Sequence, residues 1–157
     1  MKKFRTVLAA TDLSSESLSA VRYAAHLAKA QGAKLVIVHA TMVTMLLFPY
    51  YDGSFDIAGL EKDLEDNART VLDSWVKRHA KGEPATRVIV RRGEAHEVLC
   101  QVAAETGASV IVIATHGRKG FSHALLGSVT ERVLRDAPCP VLVVRPKAPV
   151  IHVEKAA

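Results

Sequence analysis

Short aliphatic runs alternate with segments of helical period along most of this chain, and that alternation restricts the fold more than any other feature. The first run, Thr6–Ala10 (TVLAA), stops at Thr11-Asp12, and Leu18, Val21, Ala25 and Ala28 then recur at helical spacing up to Gly32. An unbroken apolar run reads as a strand buried on both faces, and apolar residues three or four apart read as one face of a helix. The pattern repeats, with strands over 34–40 (KLVIVHA), 86–90, 109–114 (SVIVIA) and Val141–Val144 (VLVV), and helices over 57–80, 95–105 and 129–136. Strands separated by helices favour a parallel sheet, because each return to the same edge needs a crossover. The expectation is an α/β fold of three layers, an open parallel sheet with helices on both faces.

At 157 residues the chain has the length of one domain, which buries roughly 68–70% of the surface its unfolded form exposes. We read residues 1–146 as that domain and 147–157 as a C-terminal tail. With 49% hydrophobic residues but only 5% aromatic ones, the core should be Val, Leu, Ile and Ala. The apolar stretch behind the first basic residues is about five residues long, too short for a signal-peptide core or a membrane span. A cytoplasmic protein is therefore expected. Cys100 sits in a helical pattern and Cys139 between two prolines, and their spacing suggests neither a metal site nor a disulfide framework. Both are expected to be buried thiols. The net charge of +5 divides into +2 up to Lys81 and +3 beyond it. No basic run is interleaved with aromatics, which argues against nucleic acid as a partner.

Two segments interrupt the compact pattern. Residues 41–56 (TMVTMLLFPYYDGSFD) are long for a loop and unusually apolar, so they should pack on the body, cover a cleft or meet a partner. The tail after Pro146 carries Val150-Ile151-His152-Val153, which reads either as an added edge strand or as loose chain.

In an open parallel sheet, ligands gather beyond the carboxyl ends of the strands where strand order reverses. Two strand ends carry chemistry: Ala10-Thr11-Asp12-Leu13-Ser14 after the first strand, and Ala114-Thr115-His116-Gly117-Arg118-Lys119-Gly120 after the fourth, leading to Leu126-Gly127-Ser128-Val129-Thr130-Glu131. Gly117 and Gly120 let backbone N–H groups approach an anion closely, and Gly127-Ser128 delivers the chain to a helix N-terminus, where phosphate binds readily. Arg118 and Lys119 add attraction at longer range. The G-x-x-x-x-G-K-[ST] spacing of a P-loop is absent. Plainer roles stand beside these. Ser128 with Glu131 is an S-x-x-E capping box, the two glycines serve a turn, and Asp12 either caps the first helix or accepts from ribose hydroxyls.

On these residues the chain resembles the universal stress protein family, from VLAATD near the start to PCPVLVV near the end. The nucleotide-binding members carry G-x2-G-x9-G-[ST] after the fourth strand. Here that register falls on Ala114, Gly117, Gly127 and Ser128, with nine residues between Gly117 and Gly127. The departure is Ala114, whose methyl group is expected beside the ribose. The resemblance implies a Rossmann-like five-stranded sheet of order 3-2-1-4-5, with the reversal between the first and fourth strands. It implies ATP as the ligand, with a divalent cation such as Mg²⁺ or Mn²⁺ riding on the phosphates. Ala10, Asp12 and Ala40 would border adenine and ribose, with Asp12 accepting from the hydroxyls. Ile113 and Ala114 would continue that wall, and Gly117, Gly127, Ser128, Val129 and Thr130 would hold the phosphates through backbone N–H and hydroxyl groups, with Arg118 also among the binding residues. It implies a homodimer too, paired through Val141–Val144, an apolar strand otherwise left at an edge.

Other classes fit less well. A phosphorylated receiver domain needs an Asp after the third strand, which instead ends in Arg91-Arg92-Gly93. A hydrolase needs metal-spaced histidines or a G-x-S-x-G elbow, and the seven histidines supply no such pair. His116 lies at the predicted site, either as a turn residue with its ring bonded to backbone or as a group that touches phosphate or polarises water. The loop offers no obvious residue to place an attacking water, so any hydrolysis should be slow. The expectation is a regulatory or signalling module. The remaining alternative is a nucleotide-free dimeric adaptor whose partners meet residues 42–55.

Overall fold

A computed structural model of the chain describes residues 3–42, 57–79, 86–115 and 126–145. The elements in chain order are β1 (Thr6–Ala10), α1 (Ser15–Gln31), β2 (Lys34–Thr41), α2 (Ile57–His79), β3 (Thr86–Arg92), α3 (Ala95–Thr106), β4 (Val110–Ala114), α4 (Ser128–Asp136) and β5 (Val141–Val144). All five strands form one parallel sheet in the order β3-β2-β1-β4-β5. The alternating pattern and the implied strand order are both met. The apolar segment 43–56, the loop holding His116, Gly117, Arg118 and Lys119, and the tail all lie outside the described residues.

Period-two alternation divides the core into two layers. Val7 and Ala9 of β1, Leu35 and Ile37 of β2, and Val110, Val112 and Ala114 of β4 face one way, onto Ala20, Val21, Ala24, Ala25 and Ala28 of α1 and Leu72 and Val76 of α2. Leu8, Ala10, Val36, Val38, Ile111 and Ile113 face the other way, onto Val98, Leu99, Val102 and Ala103 of α3 and Val133 of α4. The central strands β1 and β4 are buried along their whole length, which explains their continuous apolar runs. Leu8, Ile37 and Ile111 have no exposed surface, and burying a side chain of that size contributes about 1.5–3 kcal/mol. The alanine stripe of α1 lets its backbone lie close to β1 and β4. Helices α1 and α3 end at Gly32 (φ 61) and Gly107 (φ 59), left-handed caps that glycine adopts without the Cβ clash other residues meet.

Several element ends differ from the sequence reading. Strands β2 and β3 run on together to Thr41↔Arg92, because the parallel ladder continues past the apolar residues and β3 lies at an edge where arginines are tolerated. Arg91 there grips Glu105 of α3 through two bonds of 2.8 and 2.9 Å, and that pairing holds the Glu105 carboxyl below the usual carboxylate range. Cys100 and Cys139 are half-buried rather than fully buried, and both are free. Partial burial pushes each thiol upward, which keeps the reactive thiolate scarce.

At the opposite edge, the carbonyls of Pro140 and Val144 accept from Ile111 N–H (2.9 Å) and Thr115 N–H (3.0 Å) of the β4 side. By the alternation of a parallel ladder, the main-chain groups of Val141 and Val143 therefore point away from the sheet. Among the described residues no helix is long and apolar enough to cross a membrane.

Candidate functional site

The order β2-β1-β4 brings the carboxyl ends of three strands side by side, and β1 is extended by a polar turn through Thr11, Asp12 and Ser14. At β1, Thr11 N–H still pairs with Val38 O at 3.0 Å, after which the chain turns through Leu13 at φ 66. A left-handed leucine costs roughly 1–2 kcal/mol, so its surroundings must hold it. Leu13 N–H donates to Thr11 Oγ1 at 3.0 Å, and its side chain packs on the core layer under α1. Asp12 does not cap α1, contrary to one of the roles read from sequence. Ser14 is the N-cap, its Oγ accepting from Ser17 N–H at 3.1 Å. Asp12 Oδ1 accepts from both Ser14 N–H and Ser14 Oγ, forming an Asx turn that bends its carboxylate back over the helix start.

At β4, the chain leaves through Thr115 and returns at Gly127, whose N–H donates to Thr115 O at 2.8 Å. Helix α4 begins at Ser128 with Gly127 as its N-cap, and no side chain caps it. The Ser128–Glu131 capping box is therefore absent. With helical geometry starting at Ser128 itself, its hydroxyl is one position too late to bond the third turn residue. The first intrahelical donor is Glu131 N–H, to Gly127 O at 3.0 Å. A helix start leaves its first N–H groups without intrahelical partners, here those of Ser128, Val129 and Thr130. Ser128 and Val129 are exposed, whereas Thr130 is buried, with 3% of its surface accessible.

Two expected contacts take a different form. Thr130 Oγ1 donates to Ala114 O at 2.9 Å, so its only hydroxyl proton is committed to the end of β4 and not offered to a phosphate. Ile113 and Ala114 cannot form one wall, because successive strand residues face opposite layers. Ile113 joins Ala10 and the half-buried Ala40 on the α3/α4 side, while the Ala114 methyl packs on the α1 side and is 5% exposed. The methyl expected beside the ribose is thus a core atom. Gly117 and Arg118 lie outside the described residues. The structure brings together Ala10, Ala40 and Ile113 as one apolar face, Asp12 at the adjacent turn, and the α4 start behind Ala114.

The sequence reading overlooked His39. Its Nδ1 lies 2.8 Å from Thr11 O. Its isolation from any motif left no local signal, and only the register of β1 on β2 reveals the contact.

Comparison with known proteins bears on this arrangement. The model of the universal stress protein family matches residues 3–145. Universal stress protein YxiE of Bacillus subtilis is 34% identical over 149 residues, covering 90% of this chain and 99% of that protein. Among solved structures, MJ0577 of Methanocaldococcus jannaschii superposes with a TM-score of 0.77 at 22% identity over 94% of this chain and 100% of its own, a likeness of fold. A universal stress protein solved in complex with cAMP matches at a TM-score of 0.66 and 26% identity, over 93% of this chain and 100% of that one. Since the matched span takes in both elaborated strand ends and every element of the 3-2-1-4-5 sheet, this chain belongs to the universal stress protein family.

Proposed function

We propose that the protein binds an adenine nucleotide, ATP, across the carboxyl ends of β1 and β4, and acts as a regulatory module of the stress response without significant turnover. The observation that carries this reading is the start of α4, anchored by Gly127 N–H on Thr115 O and Thr130 Oγ1 on Ala114 O, which aims uncapped N–H groups at the reversal of strand order. Gly127 has φ −65 and ψ 149, a conformation open to any residue. Its lack of a side chain therefore suits close approach of a ligand rather than a backbone need. Ala10, Ala40 and Ile113 suit adenine, Asp12 the ribose hydroxyls, and residues 117–118 with the α4 start the phosphates. A family member of known structure holds cAMP, an adenine nucleotide, which supports the same base here. Among the described residues no three His, Cys, Asp or Glu side chains converge as a metal-ligand set. A Mg²⁺ or Mn²⁺ ion is proposed to ride on the phosphates, keeping several waters and few protein ligands.

The test is chromatography of the small molecules released by heat or acid from freshly purified protein, followed by calorimetric titration with ATP. Adenine nucleotide near one per chain, or a clear ATP isotherm on the emptied protein, is expected. Neither would be found if the protein were a nucleotide-free adaptor acting through residues 42–55. ATP hydrolysis at rates typical of kinases and ATPases, about 1–100 per second, would contradict the regulatory reading.

The domain, taken to run over residues 1–146, is proposed to work in the cytoplasm as a homodimer joined through β5. The outward main-chain groups of Val141 and Val143 form an edge suited to pairing with a second copy. Val143→Pro removes one outward N–H while leaving the inward bonds of Pro140 and Val144 in place. Light scattering on a sizing column should give the mass of two chains for the wild type and of one for the variant.

A further inference from the structure

Thr11, the residue after β1, has all its polar groups engaged. Its N–H donates to Val38 O at 3.0 Å, and its Oγ1 accepts from Leu13 N–H at 3.0 Å and bonds Ser17 Oγ at 2.9 Å. The ladder between β1 and β2 supplies the partner for the N–H, but the carbonyl is satisfied by a side chain, His39 Nδ1 at 2.8 Å. A carbonyl oxygen only accepts, so the imidazole carries a proton on Nδ1. Ser17, in turn, donates its N–H to Ser14 Oγ and its hydroxyl to Ser14 O, both at 3.1 Å. Ser14 holds Asp12 Oδ1 through its own N–H and hydroxyl.

Asp12 is thus suspended between two fixed points, Thr11 behind it and Ser14 ahead, with Leu13 between them in a left-handed conformation that side chains rarely adopt. The direction of a carboxylate in such a turn depends on both ends of the turn staying in place. We propose that His39 is a positioning residue for the ribose end of the nucleotide site. By clamping the Thr11 carbonyl from the neighbouring strand, it holds Asp12 where the ribose hydroxyls are accepted, without touching the nucleotide itself. The inference rests on the nucleotide reading above.

Its signature is selective for the sugar. Wild type, His39→Leu and His39→Asn are titrated calorimetrically with ATP and with 2′,3′-dideoxy-ATP, which lacks the hydroxyls. Wild type is expected to prefer ATP. His39→Leu should weaken ATP about tenfold, the scale of one hydrogen bond to a charged group, yet change dideoxy-ATP affinity by less than about twofold, since no sugar hydroxyl is there to lose. Asparagine places its side-chain N–H close to the position of Nδ1–H, so His39→Asn should recover most of the ATP affinity. If His39→Leu does not fold, His39→Gln takes its place with the same expected split. Equal losses for the two nucleotides, or no loss for either, overturn the positioning role while leaving the nucleotide reading intact. A wild-type protein that binds neither nucleotide overturns that reading and this inference with it.

Discussion

Gly127→Val is expected to abolish measurable ATP binding while leaving the protein folded. The backbone at Gly127, φ −65 and ψ 149, lies in the extended region that valine favours, so the substitution brings no conformational strain. Its N–H bond to Thr115 O at 2.8 Å uses main-chain atoms only and survives. The structural cost is confined to the cap, where valine is poorer than glycine, roughly 0.5–1 kcal/mol. The functional cost is larger, because the two methyl groups of valine occupy the approach to the N–H groups of Ser128 and Val129. Excluding a phosphate from that helix start should weaken ATP by at least about 100-fold, or roughly 2.7 kcal/mol. Thermal denaturation separates the two effects. ATP at about 100 times its dissociation constant stabilises a binding protein by about 2.7 kcal/mol, which raises the melting temperature of a domain this size by roughly 5–10 °C. Wild type should show that rise. Gly127→Val should melt within a few degrees of unliganded wild type and show no rise. Unchanged ATP binding in the variant would mean that the phosphates do not lie against α4.

Much of the fold was legible because it follows from composition along the strands. The limits of β1 and β5 coincide with the aliphatic runs TVLAA and VLVV, and β4 differs from its run only at Ser109. The errors came where the deciding interaction was non-local or depended on direction. Ser128 and Glu131 have the spacing of a capping box, but spacing does not say where helical geometry begins, and α4 begins one residue earlier than its apolar pattern. Asp12 has the chemistry of a cap, yet Ser14 occupies the N-cap and Asp12 supports it. Placing Ile113 and Ala114 on one wall ignored a signal that was present, since strand alternation alone sends them to opposite layers. The contacts of His39 with Thr11 and of Thr130 with Ala114 join residues 28 and 16 positions apart, and no local pattern announces them.

Thr130 supplies the second large effect, because the two roles available to its hydroxyl predict different measurements. The family resemblance places Thr130 among the phosphate-holding residues, and a hydroxyl serving only the ligand could be removed without altering the empty protein. The structure instead commits that proton to Ala114 O, at 2.9 Å and in a buried position. Valine matches threonine in shape, so Thr130→Val deletes the donor and leaves the carbonyl in place without opening a large cavity. A buried acceptor left unsatisfied costs about 1–3 kcal/mol, which lowers the melting temperature of the nucleotide-free protein by roughly 2–12 °C. ATP affinity should fall as well, by about threefold to tenfold, because the bond that draws the α4 start onto the end of β4 also directs its N–H groups. Thr130→Ser keeps the hydroxyl and should retain most of the affinity, although removing a buried methyl costs about 1 kcal/mol. The decisive readout is the melting temperature of the empty Thr130→Val protein. Were it equal to wild type while ATP affinity fell, the hydroxyl would belong to the phosphates, and the link between α4 and β4 would lose its place in the architecture of the site.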